Sequence, residues 1–240
     1  MIDSGRRAAA VPGGLAVVVP VLDEERRIAD CLAALAATPG VDETAVVDGG
    51  SRDRTAAVAA GFPGVRVLAA PRGRGSQMNA GAAATAAAVL LFLHADVRLP
   101  RDAAAWVART LAAPGVVAGA FRTRTVADGA RSWVTPLLPL ADLRARWTRL
   151  PYGDQALFVR RAAFARVGGF PDQPLMEDLE IALRLRRIGA IARVPAAVTV
   201  SGRRFAARPL RAAAAMRLFP LLYRLGVPAD VLARAYGDPR

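Results

Sequence analysis

A chain of 240 residues that is 54% hydrophobic carries enough apolar surface for one large domain with an extension. Its 33 basic residues, every one an arginine, outnumber 20 acids to give a net charge of +13; the equally heavy alanine content marks this as compositional bias as much as a selected property, so charge alone does not indicate nucleic acid. A single cysteine excludes an intrachain disulfide, and the longest apolar stretch, Gly81 to Leu93, falls well short of the ~20 residues a membrane-spanning helix needs.

Residues 1–14 include Arg6 and Arg7 but no long apolar core, which predicts a flexible N-terminus rather than a secretory signal and, with the lone cysteine, a cytoplasmic protein. From there elements alternate. Strands are expected at Leu15 to Val21, Thr44 to Val47, Val65 to Ala69 and Val89 to Leu93. Helices are expected between them at Glu24 to Ala37, Asp53 to Ala60 and Gly75 to Ala88. This rhythm predicts an α/β fold with a mostly parallel sheet and helices on both faces. Cys31 falls on the apolar stripe Ile28, Cys31, Leu32, Leu35, which makes it a core residue rather than a nucleophile.

A helix at Asp102 to Ala112 and an extended segment at Val116 to Val126 follow. Arg131 to Leu150, broken by Pro136 and Pro139, reads as helices packed across the active face of the sheet. Then come a strand at Ala156 to Arg160, a helix at Arg161 to Val167, the turn Gly168-Gly169-Phe170-Pro171 and a helix at Leu175 to Ile188 ended by Gly189. Ile191 to Ser201 supplies one or two strands, and the arginine-rich remainder is expected to be helical.

Chemistry-bearing residues cluster where strands end, the edge at which open α/β sheets bind ligands. Asp48-Gly49-Gly50-Ser51-Arg52-Asp53 closes one strand; its glycines let backbone approach a ligand, while Ser51 or Asp53 can cap the next helix. A plain strand-to-helix turn explains it equally well. His94-Ala95-Asp96 closes another strand. On an extended chain both side chains point one way, so a single Mn²⁺ could touch both, whereas Mg²⁺ would rely on Asp96, phosphates and water. The alternative is a histidine bonded to a neighbour, with Asp96 pairing Arg98 or Arg101. Pro71 to Gly81 is rich in glycine and arginine and leads into a helix, a setting that favours phosphate.

On a helical wheel Glu177, Glu180, Arg184 and Arg187 form one polar stripe, and Glu180 can pair Arg184. Helix-dipole stabilisation accounts for Glu177 and Glu180. Asp178 falls among Ile181, Ala182 and Leu185, where a carboxylate needs a ligand or partner, and is the candidate catalytic base.

In order, these pieces resemble the family-2 glycosyltransferases of GT-A (Rossmann-like) fold. The matching residues are Val19-Pro20-Val21-Leu22-Asp23-Glu24-Glu25, Val47 to Asp53, Arg72 to Gly81 and His94-Ala95-Asp96, followed by Gly153-Asp154-Gln155, Gly168-Gly169-Phe170 and Met176-Glu177-Asp178. Pro-Arg-Gly-Arg, Gln-Met-Asn-Ala-Gly, Leu-His-Ala-Asp, Gly-Asp-Gln and Pro-Leu-Met-Glu-Asp are similar to the bacterial subgroup termed "transferase 2, radical-SAM/selenodomain-associated".

The resemblance implies a GT-A domain over 15–205, with a nucleotide-binding half to about residue 100 and an acceptor half beyond, then a helical C-terminal extension over 206–240. It implies inverting transfer from a nucleotide-diphosphate sugar of UDP or GDP type, with Mn²⁺ or Mg²⁺, to an unknown acceptor, a lipid-linked one among the options. Pro20, Glu24, Asp48, Gly49, Arg72, Arg74, Asn79 and His94 would serve the donor, and Asp96 with His94 the metal. Gly153, Asp154 and Gln155 would border the acceptor, while Asp178, with Glu177 beside it, would deprotonate the hydroxyl.

The chain departs from the family pattern in three places. Asp48-Gly49 stands for the usual Asp-Asp, and His94 for the first acid of Asp-x-Asp. Gly202-Arg203-Arg204-Phe205 only faintly matches the Gln-x-x-Arg-Trp of processive members, which implies one sugar per acceptor.

Two other functions compete. A nucleotidyltransferase would favour a glycine-rich loop with a lysine after the first strand, where this chain has Leu22-Asp23-Glu24-Glu25. A nucleic-acid-binding module would need stacking platforms, and aromatics are only 6% of residues, so no nucleic-acid partner is expected. In the tail, Leu218, Leu222 and Leu225 share a face interrupted by Pro220; it either packs on the domain or draws the enzyme to anionic lipid as a peripheral membrane contact.

Overall fold

The structure, a computed structural model, describes residues 10–127, 151, 153–202 and 218–237. The expected helices over 131–150 and most of the arginine-rich tail lie outside these residues. The first half alternates β1 (Leu15–Val21), α1 (Glu25–Ala36), β2 (Glu43–Asp48), α2 (Thr55–Ala60), β3 (Val65–Ala69), α3 (Arg74–Ala83) and β4 (Val89–Phe92). The second half adds β5 (Val97–Arg98), α4 (Ala103–Ala112), β6 (Val116–Val126), a 3₁₀ turn (Gly153–Gln155) and β7 (Phe158–Arg160). It closes with α5 (Arg161–Arg166), α6 (Glu177–Arg186), β8 (Ala190–Ser201) and α7 (Ala229–Tyr236).

Among the described residues the strands form one sheet in the order β3-β2-β1-β4-β7-β6-β8-β5. The pairings β3·β2, β2·β1, β1·β4 and β6·β8 are parallel. Because β7 runs antiparallel to both β4 and β6, the strands β1 to β4, β6 and β8 all point one way. Their carboxyl ends therefore share one rim. Leu91, Phe158, Gly119 and Ala192 stand in a row across the sheet. His94 lies three residues beyond that row on the rim side.

The sheet is buried on both faces, which is why β1 is an unbroken apolar run. One face packs Val17, Val19, Leu91 and Phe158 against α1, α2 and α4. The other packs Ala16, Val18, Leu90 and Phe92 against α3, α5 and α6. Pro20 sits in the central strand without cost. Leu93 N–H donates to Val18 O, so Val18 and Pro20 face the β4 side, and β4 has ended by Pro20. At Gly81 a Cβ would run into Val18 Cγ1, so α3 lies close on the sheet only because glycine stands there.

Two expectations need correction. The helix α3 ends at Ala83, not Ala88. The Arg161 guanidinium captures Ala82 O at 2.6 Å, Ala87 O at 2.6 Å and Thr85 Oγ1 at 2.9 Å, satisfying the chain beyond the helix end from a distant element. Of the one or two strands expected after α6, residues 190–201 form one, with register shifts against β6. Leu222 parts from Leu218 and Leu225: it packs with Leu175, Leu232 and Val227, while Leu218, Leu221 and Leu225 are exposed.

Candidate active site

The loops after β1 and β2 are laced together by short polar side chains. Asp48 accepts bonds from Ser51 Oγ, from Ser51 N–H at 3.1 Å and from Gly50 N–H at 3.3 Å, so its carboxylate is set by its own turn. Ser51 Oγ also accepts from Asp23 N–H (2.9 Å), and Asp23 Oδ1 accepts from Arg52 N–H (2.8 Å). Asp23 holds a left-handed φ of 53°, which its short polar side chain tolerates. Asp53, one residue before the cap position of α2, accepts from Thr55 N–H (2.9 Å) and from Glu25 N–H (3.1 Å), while Glu24 N–H donates to Thr55 Oγ1 (2.8 Å). Glu24 itself lies 3.5 Å from Arg27.

Beneath this floor is a buried residue the sequence reading did not single out. Gln77 Nε2 donates to Val21 O and Val47 O, both at 2.8 Å, and so ties the carboxyl ends of β1 and β2. A Cβ on Gly49 would stand 3.0 Å from that amide, so the loop rests on it. The signal was a glutamine at a position of α3 that faces the sheet. Its neighbour Asn79 is engaged at both ends: its amide donates to Phe170 O and accepts from Phe170 N–H, each at 2.9 Å. That gives Asn79 a structural task, holding the turn before α6. Arg72 is exposed.

His94 and Asp96 share a tight turn, not an extended segment. Val97 N–H donates to His94 O at 3.0 Å, and β5 begins directly after. The expectation that both side chains point one way because the chain is extended is therefore corrected; the chain reverses to enter β5. Arg98 pairs with Asp30 at 3.1 Å. Ser201 N–H donates to Asp96 O, anchoring the turn to the end of β8.

The facing acids come from α6. Its first turn holds Glu177, Asp178 and Glu180, and the helix dipole favours these negative charges. Asp178 Oδ2 accepts from Gly153 N–H at 2.6 Å, and Oδ1 from Leu179 N–H at 2.7 Å. Glu180 pairs Arg184 at 2.8 Å, as its spacing predicts. Glu177 departs from the polar stripe. It is 4% exposed, lies 3.7 Å from Arg74, and its carboxyl is pushed up to about 7 by burial and by Asp178, against the pull of Arg74. The reason is that the helix begins at Glu177, so its side chain reaches back across the helix end toward α3 instead of outward.

His94, Gly153, Glu177 and Asp178 line one narrow crevice, walled by Phe92, Leu157 and Phe170. A Cβ on Gly153 would meet His94 Nε2 at 2.8 Å and Asp178 Oδ2 at 3.4 Å, so the strand-end histidine and the helix-start acid face each other across a glycine. Non-glycine residues with positive φ, Ala156 at 47° and Met176 at 65°, flank the two segments that meet there. Such backbone is held only where its surroundings over-determine it. Asp154 is half-buried in the same turn, and Gln155 is buried. Among the described residues no group of three His, Cys, Asp or Glu could hold a metal. The donors His94 and Asp96 nevertheless suit a cation that completes its shell with phosphate oxygens and water.

A mostly parallel, two-sided sheet with an acid-bearing rim of this kind is the arrangement of GT-A glycosyltransferases, and comparison with solved structures agrees. The mannosyltransferase PcManGT from Pyrobaculum calidifontis, in complex with GDP-Man and Mn²⁺, is 22% identical over 92% of this chain and 69% of its own, with a TM-score of 0.64. The S. aureus TarS fragment 1–349 is 18% identical over 85% of this chain, with a TM-score of 0.61; the present chain spans 65% of it. Glucosyl-3-phosphoglycerate synthase from Mycobacterium tuberculosis, with Mn²⁺, UDP and glucosyl-3-phosphoglycerate, is 23% identical over 90% of this chain and 81% of its own, with a TM-score of 0.56. At these identities the likeness establishes the fold. No curated protein sequence matches the chain. The family pattern of glycosyl transferase family 2 covers residues 16–170, more than half of the chain. The protein belongs to that family, whose activity is sugar transfer rather than the nucleotidyl transfer weighed above.

Proposed function

We propose that the protein moves one sugar per acceptor from a nucleotide-diphosphate sugar to an acceptor hydroxyl, with inversion and with help from a divalent metal. The observation that carries this reading is the meeting of His94 and Asp178 at Gly153 within one crevice. The hydroxyl oxygen attacks the anomeric carbon opposite the diphosphate, and the bond to the diphosphate breaks with its electron pair. Asp178 takes the hydroxyl proton. Its oxygens each have two acceptor sites, so Oδ2 can hold the Gly153 N–H and still receive a proton.

His94 and Asp96 would hold Mn²⁺ or Mg²⁺, which when bound supplies positive charge against the departing diphosphate. Arg74, at the start of α3, adds a guanidinium on the same side. Asp48 and Glu24 would border the nucleoside, and Gly153, Asp154 and Gln155 the acceptor. Neighbours crystallised with GDP-Man, UDP-GlcNAc and UDP support a UDP or GDP donor. The near-intact Pro-Leu-Met-Glu-Asp and Gln-Met-Asn-Ala-Gly wording supports the radical-SAM/selenodomain-associated subgroup.

Among the described residues no helix is long and apolar enough to cross a membrane. Exposed Leu218, Leu221 and Leu225 beside Arg224 support a peripheral contact with anionic lipid, which vesicle flotation at low salt tests.

The donor is named by a thermal-shift panel of nucleotide-sugars with and without Mn²⁺, because a ligand of the native state stabilises as RT ln(1 + [L]/Kd). A metal-dependent shift with UDP- or GDP-sugars is expected. No shift with any member, and no release of nucleoside diphosphate, would end the proposal.

A further inference from the structure

Beside the crevice lies a second cavity of about 410 Å³, within the range of small-molecule sites. Its wall includes Phe121, Ile191, Pro151, Gln155, Arg186 and Arg193. Pro151 also lines the crevice of Asp178, so the two spaces share one wall. The sheet register shows the cavity reaching toward the same rim: Leu91, Phe158, Gly119 and Ala192 form one row, the cavity begins on its far side at Gly189 and Ala190, and Arg193 on β8 and Phe121 on β6 stand one and two residues beyond it, toward the rim where β4 delivers His94. The 3₁₀ turn Gly153–Gln155 joins the spaces, since Gly153 bonds Asp178 and Gln155 lines the cavity. Two residues of such a turn rise about 4 Å.

We infer that this cavity is the acceptor subsite and that it selects an acceptor carrying an anionic group, phosphate or carboxylate. The inference rests on the glycosyl-transfer reading above and adds the substrate class to it. Two guanidiniums, those of Arg186 and Arg193, line the cavity. Guanidinium forks match phosphate and carboxylate in geometry, and the Gln155 amide supplies further donors. Phe121 and Ile191 provide an apolar floor for the acceptor's carbon skeleton. Arg186 stands eight residues after Asp178 on α6, about 12 Å along the helix, so an acceptor held by the long arginine side chains extends past the Gly153–Gln155 turn to bring a hydroxyl to Asp178.

Transfer is measured to three probes that present the same glycerol hydroxyls: glycerol, glycerol 3-phosphate, and phosphatidylglycerol in vesicles. The expected result is a kcat/KM at least tenfold higher for a phosphate-bearing probe than for glycerol. The soluble and vesicle arms tell whether that phosphate is free or on a lipid. Arg186→Gln and Arg193→Gln should each raise KM for the charged probe about tenfold and narrow its advantage over glycerol. In parallel, inorganic phosphate is titrated by calorimetry into the protein saturated with nucleoside diphosphate and Mn²⁺. Binding that weakens at least tenfold in the double variant is expected even where no glycerol probe accepts sugar. Equal use of glycerol and glycerol 3-phosphate, or phosphate binding absent or indifferent to both arginines, overturns the inference. Release of nucleoside diphosphate from the donor by the native protein, measured without acceptor, separates that outcome from failure of the glycosyl-transfer reading itself.

Discussion

The Arg74 guanidinium lies 3.7 Å from the buried Glu177 carboxylate, joining the first turn of α3 to the first turn of α6. One of these turns opens the helix that carries Gln77 and Asn79, and the other carries Asp178. Glu177 keeps its raised proton affinity despite this partner, because burial and the adjacent Asp178 oppose its ionisation more than one guanidinium favours it.

The pH dependence of stability follows from that balance. Glu177 ionises at its ordinary value of 4.5 when unfolded and at about 7 in the fold. Below 4.5 both states hold the proton. Between the two values the native state holds more protons than the unfolded one, so stability falls by up to about 1.4 kcal/mol per pH unit, and above about 7 the loss is complete. Glu177→Gln removes this contribution. Urea unfolding at pH 5 to 8 should show a flatter profile for the variant than for the native protein, and parallel profiles would refute the assignment.

Asp178→Asn keeps an oxygen for the Gly153 or Leu179 amide but cannot accept the acceptor's proton. Transfer should fall by about 10²- to 10⁴-fold while the affinity for donor nucleotide changes little. Initial rates and nucleotide titrations on the same samples check both halves. Undiminished transfer would remove Asp178 from its role.

Asp96→Ala should abolish the Mn²⁺-dependent part of nucleotide stabilisation. At ligand 100-fold above Kd, native-state binding contributes about 2.7 kcal/mol, a shift readily resolved by thermal melting. An equal Mn²⁺ increment in the variant would mean that Asp96 is not a ligand.

Gln77→Ala strips both donors from the Val21 and Val47 carbonyls in a buried setting. Val21 O keeps its bond from Gly49 N–H at 3.0 Å, so the loss is that of two hydrogen bonds, about 0.5–1.5 kcal/mol each, and the lost volume adds to that. Denaturant unfolding should show a loss of several kcal/mol, with the Asp48 loop the first segment to gain hydrogen exchange. A change below about 1 kcal/mol would show that the tie is dispensable.

Strand-end acids and the alternation of apolar runs were readable because they depend on local periodicity and on chain order. The run Leu15 to Val21 is buried on both faces, so it is apolar throughout, Asp48 ends its strand, and His94 comes two residues after its own. The end of α3 was not readable, since Arg161 sets it from another element. The roles of Glu177 and Asp178 on the helical wheel were assigned from an ideal helix with no neighbours. Near a helix start the side chain can turn past the end, and only the position of Arg74 reveals that Glu177 does so.

By itself, then, the sequence determined the α/β rhythm, the core identity of Cys31 and the order of motifs that marks glycosyl transferase family 2, because all three are carried by neighbours in the chain. Only the tertiary structure decided that His94 and Asp178 meet across Gly153, and that Arg186 and Arg193 line one cavity with Gln155. Those meetings depend on strand register and helix packing, which place residues from β4, α6, β8 and the 3₁₀ turn at one rim through contacts no local pattern encodes.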